Sequence, residues 1–283
     1  MEEVIMTNKT WMITGTSSGF GKNLAEFVAQ DSDSNLIATA RKMDDLSYLD
    51  QYNHGQIFKV LVDVTNSDQI KNAVKTAQKR FGTIDVLVNN AGLGYFGTIE
   101  ESNDADIRQL FEVNVFGLAN VTKSILPTMR AQNSGLIINI SSVLGITSIP
   151  TFGWYSATKF AVEGYSNALR QEVNSLGIKV MVVEPSGART KWNAGKTAPV
   201  KLDDYSDFAD MINNAAAGET SAPGDPHMIA KIIFDTVKAG KKIPNHLPLG
   251  EFATSGMKNE LSGILSEIEQ LYATSIKADT SAE

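Results

Sequence analysis

Tyr155 and Lys159 stand four residues apart, and Ser142 precedes Tyr155 by thirteen. On a helix, residues at i and i+4 share one side, so this spacing sets a phenol beside an ammonium group. The positive charge favours phenolate and eases proton transfer. Bringing a phenol from about 10 toward 7 takes roughly 4 kcal/mol of preferential phenolate stabilisation. Ser142 follows the apolar run Leu136-Ile137-Ile138-Asn139-Ile140. Its hydroxyl would donate a hydrogen bond to a carbonyl or developing alkoxide, while Tyr155 gives its proton to that oxygen or takes one from it. Taken alone, Tyr155 reads equally well as core lining and Lys159 as its solvated neighbour.

A glycine loop upstream tips that balance. Thr14-Gly15-Thr16-Ser17-Ser18-Gly19-Phe20-Gly21 follows a compact apolar run and opens a segment of helical spacing. Gly15, Gly19 and Gly21 permit a tight turn and the close approach of a helix N-terminus to a pyrophosphate, which the backbone N–H groups of this loop would bind. A strand–helix turn without a ligand is the plain alternative. A nucleoside-triphosphatase loop fails twice: five residues separate Gly15 from Gly21, and Asn23 stands where a magnesium-binding hydroxyl is needed. Joined to Tyr155 and Lys159, the loop points to hydride exchange at C4 of a nicotinamide ring, with Lys159 on the nicotinamide ribose and the protein managing the proton. Asn114 could hold water beside Lys159, directly or through a local helix distortion; a bond to a backbone carbonyl is the alternative.

The second apolar run ends in Ala40-Arg41-Lys42, with no carboxylate. Arg41 can make paired contacts to a 2′-phosphate, so the expected cofactor is NADP, with NAD second. An exposed charge pair is the other reading. Asp63 could accept adenine N–H groups or cap the next turn, and Val64 could pack beside the ring. Asn90, Ala91 and Gly92, following Asn89, offer compact polar groups near the adenosine or form a purely structural turn. Ser142 lacks a Gly-x-Ser-x-Gly elbow, and His54, His227 and His246 lack a metal-ligand cluster, so neither a hydrolase nor a metal site is expected.

The elements that must position these groups follow from periodicity. Short apolar runs at 10–14, 36–40, 57–62, 84–88, 136–140 and 178–183 read as strands, and the stretches 22–30, 68–81, 107–129, 156–174 and 226–239 as helices. The 107–129 helix is expected to end near Pro127. This alternation favours a parallel sheet covered by helices. Residues 189–222 lose the pattern and read as a broken helical flap over a pocket, or as an exposed insertion. From Glu260 to Tyr272, Leu261, Ile264, Leu265, Ile268 and Leu271 fall on one helix face, and Lys277–Glu283 carry little to order them.

The 283 residues, 42% hydrophobic, suffice for a substantial core and contain no linker or repeat that would divide them, so one domain over 1–283 is expected. A net charge of −7 disfavours a broad nucleic-acid footprint and leaves cofactor binding to local donors. The absence of cysteine excludes disulfides and cysteine catalysis. No signal peptide or spanning stretch is visible, and a cytoplasmic protein is the default.

These motifs together resemble the short-chain dehydrogenase/reductase superfamily, in its single-domain branch with the Tyr-x-x-x-Lys pair. The resemblance runs from about residue 10 to 190 and rests on Thr14-Gly15-x-x-x-Gly19-x-Gly21, Asp63, Asn89-Asn90-Ala91-Gly92, Asn114, Ser142 and Tyr155-x-x-x-Lys159. It implies a doubly wound, Rossmann-type sheet of seven strands and a tetrad of Asn114, Ser142, Tyr155 and Lys159. It further implies cofactor contacts from Pro185-Ser186-Gly187 and Thr190, the last to the nicotinamide carboxamide; Ser186 interrupts the family's usual Pro-Gly. Homodimers or homotetramers through Asp104–Met129 and Ser156–Asn174 are implied as well. Leu144, Phe152, Trp154 and Trp192 could line an apolar substrate recess, or pack elsewhere. An apolar ketone, aldehyde or secondary alcohol fits such a recess. The competing functions are a noncatalytic NADP-binding regulator and a sugar-nucleotide epimerase or dehydratase.

Overall fold

The computed structural model describes residues 8–190, 195–216 and 222–279. Nine strands occur among them: β1 (Lys9–Ile13), β2 (Ser34–Ala40), β3 (Ile57–Leu61), β4 (Val86–Asn89), β5 (Tyr95–Phe96), β6 (Gly135–Ile140), β7 (Ile178–Pro185), β8 (Lys196–Thr197) and β9 (His246–Leu249). Seven of them form one sheet in the order β3-β2-β1-β4-β6-β7-β9, every pairing parallel. The order reverses beside β1, between β1 and β4. In open parallel sheets such a switch point opens a crevice at the carboxyl ends of the strands.

Side chains alternate across the sheet, so Trp11 and Ile13 enter one core while Met12 enters the other. The first core is closed by α1 (Gly19–Gln30) through Leu24 and Val28, and by the later helix 226–238 through Ile229, Ile233 and Val237. The second is closed by α2 (Ser67–Phe81), which contributes Ile70 and Val74, with Val121, Ile125 and Leu169 from later helices. Each fully buried aliphatic contributes about 1.5–3 kcal/mol, so helices on both faces are what make this sheet stable. This is the doubly wound arrangement expected from the sequence.

The remaining helices are α3 (Asp104–Phe111), α4 (Leu118–Gln132), α5 (Gly153–Val173), α6 (Ala209–Ala216), α7 (Pro226–Lys238) and α8 (Glu251–Ser275). Local signals explain several ends. Asn66 accepts from the Asp68 and Gln69 N–H groups at the start of α2, and Gly82 at φ 80° closes it. Asp225 caps α7, with Pro226 in its first turn.

Two expectations need correction. The single helix expected over 107–129 is α3 and α4 joined by a π-helical turn, Glu112–Gly117, and it runs through Pro127 to Gln132. Pro127 and the preceding-turn Lys123 both lie on the exposed face, where water can take the freed carbonyl. The helix stops instead at Asn133, which adopts the left-handed conformation at φ 49°. The C-terminal helix is also much longer than the 260–272 stripe, and Lys277 and Ala278 continue from it as a short 3-10 turn.

Candidate active site

At the carboxyl end of β1, Gly15 and Gly19 have φ of 69° and 57°, values that favour glycine. Gly21 answers a different need: a Cβ there would run into the Gly15 carbonyl and the Asn90 amide. Ser18 sits at the N-cap of α1 without a side-chain cap bond, and the first turn holds no acidic residue. The helix therefore presents its polarised N–H groups to the crevice. Ser17 is exposed beside it, Phe20 packs against the first core, and Arg41 and Lys42 lie exposed just past β2. This donor set fits the pyrophosphate of a dinucleotide.

Several of the predicted cofactor residues also make contacts within the protein. Asn90 Nδ2 donates to the Thr14 and Gly15 carbonyls at 2.9 and 3.0 Å. The N–H groups of Asn90 and Ala91 both reach Thr14 Oγ1. Asn90 is thereby fixed against the glycine loop, and Ala91 backs directly on Gly15. Asp63 likewise caps its own turn, accepting from Thr65 N at 2.9 Å and Thr65 Oγ1 at 2.7 Å. Val64 is buried against Gly117, where it packs the π-helical turn. Tyr48 and Thr16 escaped the sequence reading. Tyr48 donates to the Thr16 carbonyl at 2.7 Å, and Thr16 Oγ1 donates to the Thr39 carbonyl. A tyrosine 32 residues from its partner leaves no local signal.

The segment after β7 folds over the same loop. Ser186 N–H bonds the Leu249 carbonyl, and the Ser186 hydroxyl faces Gly250, where a Cβ would collide with it. Gly187 carbonyl accepts from Gly224 N at 3.1 Å. Thr190 then lies against Gly19, its Cγ2 3.4 Å from where a Cβ would project. Pro185 ends β7, so this stretch reaches the crevice without a helix.

The residues predicted to transfer protons are held from three sides. β6 delivers Ser142, whose Oγ accepts from Leu144 N at 3.1 Å. The first turns of α5 carry Tyr155 and Lys159, and Lys159 Nζ donates to the Ile140 carbonyl at 2.9 Å. That ammonium sits 5.6 Å from the Tyr155 ring centroid. Asn114, in the π-helical turn, accepts from Leu93 N at 2.7 Å and donates to Leu93 O and to Thr158 Oγ1. Thr158 Oγ1 bonds the Tyr155 carbonyl at 2.7 Å. Asn114 therefore ties the strand-end loop to α5; a Cβ added to Gly92 would stand 3.4 Å from its Oδ1. Both a local helix distortion and the alternative bond to a backbone carbonyl, that of Leu93, are present at Asn114, and π turns of this kind recur at functional sites.

Electrostatics correct one expectation. Burial raises the Tyr155 phenol above its ordinary value, and a hydrogen bond with Ser142 only partly opposes this. The protein alone thus holds Tyr155 as a phenol, opposite to the lowering expected from Lys159. Lys159 itself is pushed down to about 8 by burial, with Glu163 working against that shift. Glu163 is pushed up to about 7, again by burial.

His246, which has no metal-ligand spacing in the sequence, stands beside two carboxylates in the fold. His246 Nδ1 lies 2.7 Å from Glu184 Oε1 and 3.9 Å from Glu163 Oε2, so the three residues form one acid–histidine cluster. They come from β9, β7 and α5, and no sequence spacing joins them. The hydrogen bond to Glu184 raises His246 above its ordinary value.

Of the predicted pocket residues, Leu144 and Phe152 lie with Tyr155 in one apolar cluster, completed by Ala253 and Met257 of α8. Phe152 also meets Phe96 edge-on at 5.2 Å. Trp154 instead packs with Tyr95, Ile107 and Leu110, the other alternative for that residue. Trp192 lies outside the described residues. Met257 is four residues before Leu261 and was visible as an upstream continuation of that stripe.

A family model described as short chain dehydrogenase matches residues 9–201. Oxidoreductase BOA17 of Botryotinia fuckeliana (strain B05.10) is 37% identical over 242 residues, covering 83% of this chain and 86% of that protein. A 3-ketodihydrosphingosine reductase of Bacteroides thetaiotaomicron is 39% identical over 201 residues, 71% of this chain and 72% of that one. A short-chain dehydrogenase structure from Streptomyces avermitilis superposes with a TM-score of 0.87 at 34% identity, covering 96% and 99% of the two chains. The chain belongs to the short-chain dehydrogenase/reductase family. It is an NAD(P)-dependent oxidoreductase acting on CH–OH or C=O groups. Among the described residues, no helix is long and apolar enough to cross a membrane.

Proposed function

We propose that this chain is an NADP-preferring carbonyl reductase or alcohol dehydrogenase for apolar substrates, with Tyr155 as its general acid and base. The observation that carries the reading is the buried Tyr155 phenol, hydrogen-bonded with Ser142 and packed beside Leu144 and Phe152. NADPH, when bound, supplies the hydride. The α1 N-terminus and the 15–21 loop would hold its pyrophosphate, Arg41 its 2′-phosphate, and Thr190 its nicotinamide end.

A substrate oxygen between Ser142 and Tyr155 meets two donors. The Leu144 N–H occupies one lone pair of Ser142 Oγ, so the Ser142 proton is available to that oxygen. Tyr155, held as a phenol, has the proton that reduction requires. Lys159 keeps positive charge beside the ring as phenolate forms, and its Ile140 bond leaves two ammonium protons for the ribose and water. Oxidation of the alcohol runs these transfers in reverse.

The apolar cluster around Tyr155 favours a ketone, aldehyde or secondary alcohol on an apolar frame. The likeness to a protein named 3-ketodihydrosphingosine reductase supports starting with ketones. We further read residues 189–222 as a substrate flap on a single domain. Phe208 and Ile212, the latter from α6, pack with Phe96 and Phe152, beside the proposed pocket. Phe116 and Phe160 are exposed on the helical surfaces proposed for a homodimer or homotetramer.

The test is NADPH and NADH consumption across a panel of apolar and polar carbonyls, with Tyr155→Phe alongside. Tyr155→Phe is expected to lower kcat by at least about 10²–10⁴-fold, the usual worth of a general acid. Its NADPH affinity, read by fluorescence titration, should stay within about threefold of wild type. Undiminished turnover in that variant would remove Tyr155 from the reaction.

A further inference from the structure

We infer that the outer part of α8 is an interface with the same helix of a second copy of this chain, packed antiparallel. Only Ala253 and Met257 of α8 are buried, and every described residue from Lys258 to Asp279 is exposed. The helix leaves the domain carrying Leu261, Ile264, Leu265, Ile268, Leu271 and Tyr272 at 45–63% exposure. Leu261, Ile264, Ile268 and Leu271 recur at alternating intervals of three and four, continuing from Met257. This row can serve as the seam between two helices, with Leu265 and Tyr272 flanking it. A groove lined by Ile264, Glu267, Ile268, Leu271, Tyr272 and Ser275 follows the same face.

Area and charge select the occupant. Summing the exposed fractions of these six side chains and Ile276 gives about 700 Å² of largely apolar surface, near the roughly 800 Å² per partner of a standard interface. A membrane surface is the poorer match. Glu260, Glu267 and Glu269 outnumber Lys258 over 258–275, whereas helices that lie on anionic lipid are rich in Lys and Arg.

Orientation follows from the shape of the molecule. Paired helices lie 8–10 Å apart, so a parallel pair would force two domains together at one end. The antiparallel pair puts them at opposite ends. The seam is self-complementary in that direction: Leu261 faces the partner's Leu271, and Ile264 faces the partner's Ile268. The same register brings the partner's Ser275 to Met257, whose side chain packs beside Leu144 and Tyr155.

The test measures mass by light scattering on the full chain and on the variant Ile264→Glu/Ile268→Glu. Both positions are at least 45% exposed, so circular dichroism should show the fold retained. Wild type is expected to be at least a dimer, and the variant to show half its mass. A monomeric wild type, or an unchanged mass in the variant, overturns the inference. Because the chain has no cysteine, Ile264→Cys and Ile268→Cys chains can be coexpressed and oxidised. Disulfide-linked dimers of the mixed pair support the antiparallel register; equal linkage of either variant alone overturns it.

Discussion

Glu163 lies one turn beyond Lys159 on α5, shares its face and is buried, with Ser141 as its hydrogen-bonding neighbour. Lys159 from the same helix, Glu184 from β7 and His246 from β9 face it, with Ser141 nearby and Arg170 a turn or two further along α5. Burial lifts the Glu163 carboxyl from 4.5 to about 7. A group whose folded value is raised contributes stability that is full below about 4.5 and lost as pH rises through about 7. Glu163→Gln keeps the shape and removes this titration. The melting temperature of the variant minus that of wild type should therefore grow between pH 5 and pH 8, toward a difference of up to about 3 kcal/mol in stability. A flat difference across that range would show that the carboxyl ionises normally. A second consequence reaches the chemistry: without Glu163, which holds the Lys159 value up, the alkaline limit of turnover should move to lower pH. Tyr155 and Lys159 were legible in the sequence because one helix carries both. The partners of Glu163 were not, because three separate elements bring them together.

At the scale of elements, the site is braced where regular structure gives way. The π-helical turn inserts Asn114 between Leu93 and Thr158, so one buried amide binds the loop after β4 to α5. Asn114→Ala would leave the Leu93 N–H and carbonyl without these partners, at about 1–3 kcal/mol for each buried group left unsatisfied. Turnover is expected to fall at least tenfold while NADPH binding changes less, because Asn90 and Thr14 still hold the glycine loop. Steady-state kinetics beside a cofactor titration would check this; a loss confined to cofactor affinity would place Asn114 in the nucleotide site alone. The sheet and its helices were readable because periods of 2 and 3.6 survive in the sequence. The end of α4 was not. Pro127 looks like a terminator, but a proline on an exposed helix face frees a carbonyl that water can satisfy. For Asp63, Asn90 and Trp154 the sequence left alternatives open, because a motif places a polar or aromatic group near a crevice without saying which neighbour its side chain faces.

For the whole molecule, the net charge of −7 sets the background against which an anionic cofactor binds. Long-range repulsion has to be overcome by the α1 N-terminus and, in the proposed NADP preference, by exposed Arg41 beyond β2. Salt acts on these contributions with opposite sign. Screening weakens the general repulsion, which is spread over distances near or beyond the Debye length of about 8–10 Å, and it also weakens the short Arg41–phosphate attraction at an exposed site. NADPH and NADH share the pyrophosphate and differ by the 2′-phosphate, so the ratio of their affinities isolates the Arg41 contribution. That ratio should fall as salt rises from about 20 to 300 mM, while NADH affinity alone changes little. In Arg41→Ala the ratio should already be low, by about tenfold or more for the loss of a charge-assisted pair, and nearly independent of salt. Titrations of both cofactors on both proteins at the two salt concentrations decide the matter. If the ratio in wild type does not respond to salt, or if Arg41→Ala preserves it, the phosphate is held elsewhere and the charge at the end of β2 is only a solvated surface pair.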